Sequence, residues 1–293
     1  MFEGAYTALV TPFKNNKIDY DALEKHIEFQ IQEGIDGVIP MGTTGESPTL
    51  SFEEHEEFIR RVVKIVNKRV KVIAGTGANS TDEAIWLTKG AEDAGVDGSL
   101  SVNPYYNKPT QKGLIAHYEA IAKSTKLPII LYNIPGRSGV NFLPESVREL
   151  LLRVDNIAAM KEASGDINQM MKFVELCGDR VTLLSGDDNL LLPLLSIGGK
   201  GVISVLSNIL PADVKKTITL YNDKKVDEAR EHFYRLLPLC RAMFLETNPI
   251  PIKAAMEMTG FCGGEMRLPM VPLSDDNREK LRKILTDYGV KLK

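Results

Sequence analysis

One lysine stands apart from the other charged residues of this 293-residue chain. Lys161 closes the apolar run Ile157-Ala158-Ala159-Met160, whereas most lysines sit in solvated surface segments. An ammonium at the end of a buried strand needs a carboxylate partner or a depressed pKa, and a neutral amine there is a Schiff-base nucleophile for carbonyl compounds. Deprotonating an unperturbed lysine at pH 7 costs roughly 4–5 kcal/mol, and desolvation supplies much of that. Glu162 is not a necessary partner, because neighbouring strand residues face opposite sides. Tyrosines supply a second element. Tyr132 ends one apolar run, and Tyr105-Tyr106 follow another. Imine and enamine chemistry needs a group that passes protons, and a phenol hydrogen-bonded to a threonine hydroxyl can do this; the bland alternative for each tyrosine is aromatic packing. Gly42-Thr43-Thr44-Gly45 reads as a tight turn whose backbone N–H groups suit a small carboxylate, although an ordinary turn has the same composition. Arg137, in Pro135-Gly136-Arg137-Ser138-Gly139, carries a fixed charge for a second carboxylate, or is a plain loop arginine.

These residues have to be positioned, and the surrounding pattern says by what. Short apolar runs recur at Ala5–Val10, Gly37–Met41, Lys71–Ala74, Gly98–Val102, Pro128–Tyr132, Ile157–Met160, Val181–Leu184 and Gly201–Val205. Several are β-branched without alternation, which suits parallel strands buried on both faces. Helical spacing separates them. Asp19 can cap a helix carrying Leu23, Ile27 and Ile31, with Gly34 at its end, and Ser51/Glu54 and Ser80/Glu83 read as capping boxes. Eight such strand-helix units predict an α/β fold, a (β/α)8 TIM barrel, with the active site at the C-terminal strand ends. After the eighth run, Pro211–Tyr221, Val226–Leu245, Pro251–Thr259 and Asp275–Tyr288 all read as helical. The expected division is a catalytic barrel over residues 1–224 and a C-terminal helical extension over 225–293. An open doubly wound sheet fits less well, because no G-x-G-x-x-G follows the first run.

Composition narrows the function classes. Lysine plus arginine number 36 against 39 acidic residues, a formal charge of −3, which excludes a strongly basic nucleic-acid binder. No apolar run approaches the ~18 residues of a membrane span, and Met1-Phe2-Glu3-Gly4 lacks the basic and apolar regions of a secretion signal. Cys177, Cys240 and Cys262 form no C-x-x-C pair and suggest reduced thiols, so a cytoplasmic location is expected. His26, His55, His117 and His232 fall on predicted helices without metal-ligand spacing, so neither a metal nor a cofactor is expected. Asp187-Asp188 reads as a helix cap after the seventh strand, and its acidity argues against a phosphate site there.

Taken in order, several segments resemble the dihydrodipicolinate synthase branch of the pyruvate-dependent class I aldolases, a family that also includes N-acetylneuraminate lyase. They are Gly42-Thr43-Thr44-Gly45-Glu46, Pro104-Tyr105-Tyr106-Asn107, Tyr132 through Gly139, Lys161-Glu162-Ala163, Ser185-Gly186-Asp187-Asp188, Gly201-Val202-Ile203-Ser204 and Asn248 through Lys253. The resemblance spans nearly the whole chain. It implies that Lys161 forms the imine with pyruvate and that Tyr132 donates and accepts protons. Thr43 and Tyr106 would complete the relay, with Tyr106 reaching into a neighbouring subunit. Thr44 and the backbone oxygen of Ile203 would hold pyruvate, Arg137 the carboxylate of L-aspartate 4-semialdehyde, and Gly186 would be a further substrate-binding position. Ser138 stands where threonine is more usual and keeps the hydroxyl.

The resemblance further implies a homotetramer built as a dimer of dimers, working in lysine and diaminopimelate biosynthesis. It also implies feedback inhibition by L-lysine at Ser47, Pro48, His55, Asn79, Glu83 and Tyr105, with Phe52 where some lysine-sensitive members have histidine. Glu83 has a competing role in the Ser80 capping box. Two other readings stand beside the synthase. A lyase for a sugar-derived oxo acid would lack the arginine that Arg137 provides. A non-catalytic small-molecule sensor would have no need of Lys161, Tyr132, Thr43 and Tyr106 together.

Overall fold

A computed structural model describes residues 2–293 of the chain. Strand β1 (Gly4–Ala8) leads into a two-residue antiparallel hairpin, β2 (Phe13–Lys14) and β3 (Lys17–Ile18). The sequence pattern gives no sign of this hairpin, because two residues per strand carry no periodicity. Then follow β4 (Gly37–Ile39), β5 (Lys71–Gly75), β6 (Gly98–Val102), β7 (Ile129–Asn133), β8 (Ile157–Glu162), β9 (Thr182–Ser185) and β10 (Gly201–Ser204). Apart from the hairpin, the strands are parallel and close into a barrel in the order β1-β10-β9-β8-β7-β6-β5-β4. This is the expected (β/α)8 architecture, with helices continuing after the last strand. Every residue of β7 and of β10 is buried, as befits parallel strands covered on both faces.

The contacts gather the chain into two compact units, one of residues up to Gly4 with Lys71–Ile203, the other of Ala5–Val70 with Ser204–Lys293. In the first, three helices start at local side-chain caps. Ser80 accepts from the Glu83 backbone ahead of Thr81–Ala94, Thr110 from Gly113 ahead of Gln111–Ser124, and Asp166 from Asn168 ahead of Ile167–Cys177. Their apolar faces meet in a core around Leu114, Tyr118, Ile121, Phe142, Leu150 and Phe173.

The second unit carries the other predicted starts. Asp19 caps Tyr20–Gln32, and Ser51 with Glu54 forms a full reciprocal capping box at Phe52–Val66. Its C-terminal part is helical, at Pro211–Asn222, Val226–Ala242, Ile250–Thr259 and Asp275–Tyr288. Among the described residues, no helix is long and apolar enough to cross a membrane.

Two strand boundaries differ from the apolar runs in a way that matters. β4 stops at Ile39, because Met41 already has φ +60° in the turn that follows. β8 runs on through Lys161 and Glu162, so the lysine is hydrogen-bonded strand rather than loop.

Candidate active site

Parallel pairing sets Tyr132 beside Lys161 and Asn133 beside Glu162 across β7 and β8. Because strand residues alternate in facing, the first pair shares one side and the second pair the other. Lys161 is only 7 % exposed and Tyr132 6 %, and the lysine nitrogen lies 4.1 Å from the centre of the tyrosine ring. Burial holds the Lys161 amine down to about 8, helped by the positive charge of Arg137 and opposed by Asp187 and Asp188. At that value, deprotonation at pH 7 costs only about 1.4 kcal/mol, one pKa unit's worth.

The β9 end completes this environment. The Gly186 backbone N–H donates to the Glu162 carbonyl at 2.7 Å, which draws the turn in against the lysine stem. Ser185 closes that turn on itself, accepting from the Asp187 N–H at 3.2 Å and donating to the Asp187 carbonyl at 2.8 Å. The structure corrects the reading of Asp187-Asp188 as a helix cap. The short 3-10 turn Asp188–Leu190 has no side-chain cap, and Asp187 is instead a carboxyl pushed up to about 6 by burial, with Lys161 pulling it down. A pair of acids directly after a strand-end glycine was the sequence signal, misread because caps have the same composition.

Glu162 faces away from the lysine into a polar cluster with Asn133, Gln169 and the Ser164 N–H, while burial raises its pKa. Arg137 lies exposed on the single-turn helix Pro135–Ser138, and its charge is felt at Lys161. The Ser138 hydroxyl is within hydrogen-bond distance of both the Ile134 and Val140 carbonyls at 3.0 Å and closes that turn. Tyr106 contrasts with all of these: it is 89 % exposed, with φ +73°. Ile203 is buried in β10. Of the candidate lysine-binding residues in this unit, Asn79 accepts from the Asn107 side chain with its backbone carbonyl at 2.9 Å. Tyr105 is partly exposed and raised in pKa by burial and by Glu83.

The Thr43-Thr44 turn belongs to the other unit. Gly45 N–H donates to Gly42 O and Glu46 N–H to Thr43 O, both at 3.1 Å, and the Thr11 hydroxyl donates to Gly45 O at 2.6 Å. Thr44 is buried, and its hydroxyl oxygen accepts from the Asn248 side-chain amide at 3.0 Å. That leaves the hydroxyl proton to be donated elsewhere. Glu46, at φ +56°, is held by the fully buried Lys253 ammonium at 2.6 Å and by the Arg267 backbone N–H at 3.1 Å. Lys253 also donates to the Thr11 carbonyl at 3.0 Å and lies 4.5 Å from the Phe13 ring centre. Sequence reasoning noted the Asn248–Lys253 segment but assigned it no task. In the same unit Ser47 and Pro48 form a 3-10 turn, and His55 is buried on the helix Phe52–Val66 with Phe52 exposed at its start. Among the described residues, no group of three His, Cys, Asp or Glu side chains is arranged to hold a metal ion.

A closed barrel of eight parallel strands, with a desolvated lysine beside a tyrosine at two neighbouring strand ends, is the arrangement of an imine-forming lyase of the class I aldolase type. The chain is 54% identical over 286 residues to a 4-hydroxy-tetrahydrodipicolinate synthase of Leptospira biflexa, covering 97% of both. Its structure matches that of dihydrodipicolinate synthase from Aquifex aeolicus with a TM-score of 0.98 at 46% identity, covering 100% of both chains. It also matches a lysine-bound structure of the enzyme from Cyanidioschyzon merolae, with a TM-score of 0.96 at 41% identity and 99% of both chains covered. The chain belongs to the dihydrodipicolinate synthetase family, whose model matches residues 1–288. The activity that goes with this membership is a 4-hydroxy-tetrahydrodipicolinate synthase's, the condensation of pyruvate with aspartate semialdehyde in lysine and diaminopimelate biosynthesis, a lyase reaction by class.

Proposed function

We propose that Lys161 is the nucleophile of this reaction. The observation that carries the reading is the buried amine, held down to about 8 and set 4.1 Å from the Tyr132 ring. The amine adds to the keto carbon of pyruvate, and loss of water leaves an iminium joined to the lysine nitrogen. The iminium withdraws electrons, so a methyl proton leaves and an enamine forms. The enamine carbon attacks the aldehyde of aspartate semialdehyde, making the new carbon–carbon bond. The amine of that substrate then attacks the iminium carbon, closes the ring and releases Lys161.

Tyr132 moves protons in these steps, with Thr43 and Tyr106 extending the relay. Thr44, Gly186 and the Ile203 carbonyl hold pyruvate, and Arg137 takes the carboxylate of aspartate semialdehyde. The Thr44 role is supported by the Asn248 amide, which already occupies the hydroxyl as a donor. For Gly186 the support is steric, since it leaves room for the lysine stem. Borohydride added with pyruvate adds a small mass to the peptide containing Lys161. No adduct ends this reading.

The exposure of Tyr106 supports a role in a second copy's site and, with it, a homotetramer of paired dimers. Feedback by L-lysine at Ser47, Pro48, His55, Asn79, Glu83 and Tyr105 is supported by the lysine-bound relative, and its test is the synthase assay with added lysine. That Cys177, Cys240 and Cys262 are joined in no disulfide supports work in a reducing compartment such as the cytoplasm.

A further inference from the structure

Directly behind the reacting pair lies a second, wholly polar constellation. Glu162 and Asn133 follow Lys161 and Tyr132, pair with each other across β8 and β7, and are both buried. Asn133 Oδ1 accepts from Asn103 Nδ2 at 2.8 Å and from the Phe142 N–H at 2.9 Å. Its Nδ2 donates to Asn141 Oδ1 at 2.7 Å and to the Glu162 oxygens at 3.0 and 3.2 Å. Glu162 also accepts from the Ser164 N–H at 2.7 Å and from Gln169 Nε2 at 3.1 Å. Asn103 Oδ1, next after β6, accepts a hydrogen bond from the buried Tyr118 hydroxyl at 2.7 Å.

The ladder Asn103–Asn133–Glu162 therefore crosses the ends of three neighbouring strands. A carboxylate there is costly to bury, and apolar side chains of the same volume would seal the space with no polar atom left to satisfy. Directional hydrogen bonds add what apolar contacts lack, a fixed register and a fixed rotamer on each strand end.

We propose that Glu162, acting through Asn133, is a positioning residue: it holds the end of β8 against the end of β7 so that the Lys161 nitrogen stays over the Tyr132 ring. The proposal rests on Lys161 and Tyr132 being the reacting pair.

The test compares the parent with Glu162→Gln, which keeps the shape but turns an N–H toward groups that already donate. Borohydride trapping of pyruvate on Lys161 is followed across pH beside steady-state kinetics. The variant is expected to lose roughly tenfold or more in kcat, as misplaced reacting groups do, with pyruvate KM within about twofold of the parent. Its trapping midpoint moves to lower pH, because an amine displaced from an aromatic face loses a contact that favours its charged form. Of the other charges felt at Lys161, Asp188 and Arg137 keep their partners. Asp187 also feels Glu162, the weakest of the influences on it, so losing that charge favours the Asp187 carboxylate and works slightly against the downward move. Unchanged kcat and midpoint overturn the proposal, and so does a loss carried by pyruvate KM. Should Glu162→Gln fail to fold, Gln169→Leu removes the amide that donates to Glu162 and exchanges hydrogen bonds with Asn141 from a half-buried position, with a loss of roughly threefold in kcat expected and no loss overturning the proposal. A parent that does not trap at Lys161 overturns the assignment of the reacting pair instead.

Discussion

Gly186 leaves the space that the Lys161 stem occupies. A Cβ at position 186 would lie 3.1 Å from Lys161 Cε and 2.7 Å from Ala163 Cβ, with the Glu162 carbonyl at 3.3 Å. The approach to Ala163 Cβ is relieved only by a shift of the backbone at the β8 or β9 end, and the lysine stem is displaced with it. Gly186→Ala is therefore expected to fold with a cost of about 1–3 kcal/mol from overpacking and to lose roughly tenfold or more in the rate of imine trapping. Trapping at the parental rate would mean that the lysine does not need this gap.

Burial of Lys161 links its chemistry to stability, with a definite sign. The unfolded lysine titrates near 10.4 and the folded one at about 8, so the unfolded chain binds more protons between these values. Stability from this group accordingly rises with pH across that window, and the full penalty applies below it. Lys161→Met removes a penalty on the order of 3 kcal/mol at pH 7, so the inactive variant should melt above the parent there, with the gap closing toward pH 10. Thermal unfolding at the two pH values decides it, and a variant that melts lower at pH 7 refutes the penalty.

Lys253 and Glu46 present the opposite case, a buried charge with its partner at 2.6 Å. Removing one partner strands the other, so Lys253→Met should destabilise by about 3–5 kcal/mol, read as the denaturant midpoint. Replacing both, as Lys253→Met with Glu46→Leu, should recover most of that loss. If the double variant were as unstable as the single one, the pair would be more than a charge match.

For the proton relay, Tyr106→Phe and Thr43→Val should each lower turnover by roughly tenfold to a thousandfold while leaving the melting temperature near the parent's. Tyr106 is exposed, so the cost of losing its hydroxyl to the fold is small. If Tyr106 serves a neighbouring copy, specific activity of the parent also falls on dilution below the assembly's dissociation constant. Parental turnover in either variant would remove that residue from the relay.

What could be read from the chain itself was whatever short-range physics controls. The β-branched runs marked the buried parallel strands, and Asp19 and Ser51 marked helix starts, because a strand's burial and a cap's hydrogen bond are written within a few residues. The chemistry open to Lys161 followed from one charge closing an apolar run. Tertiary structure alone decided how far that charge is desolvated, that Asp187 is a buried carboxyl beside it rather than a cap, and that Ser138 spends its hydroxyl closing a turn. It alone joined Lys253 to Glu46 across 207 positions of sequence, and Asn133 to Glu162 across 29. The reason is common to all of these: a pKa or a buried hydrogen bond depends on which groups replace water around an atom, and those groups come from strands and turns far apart along the chain.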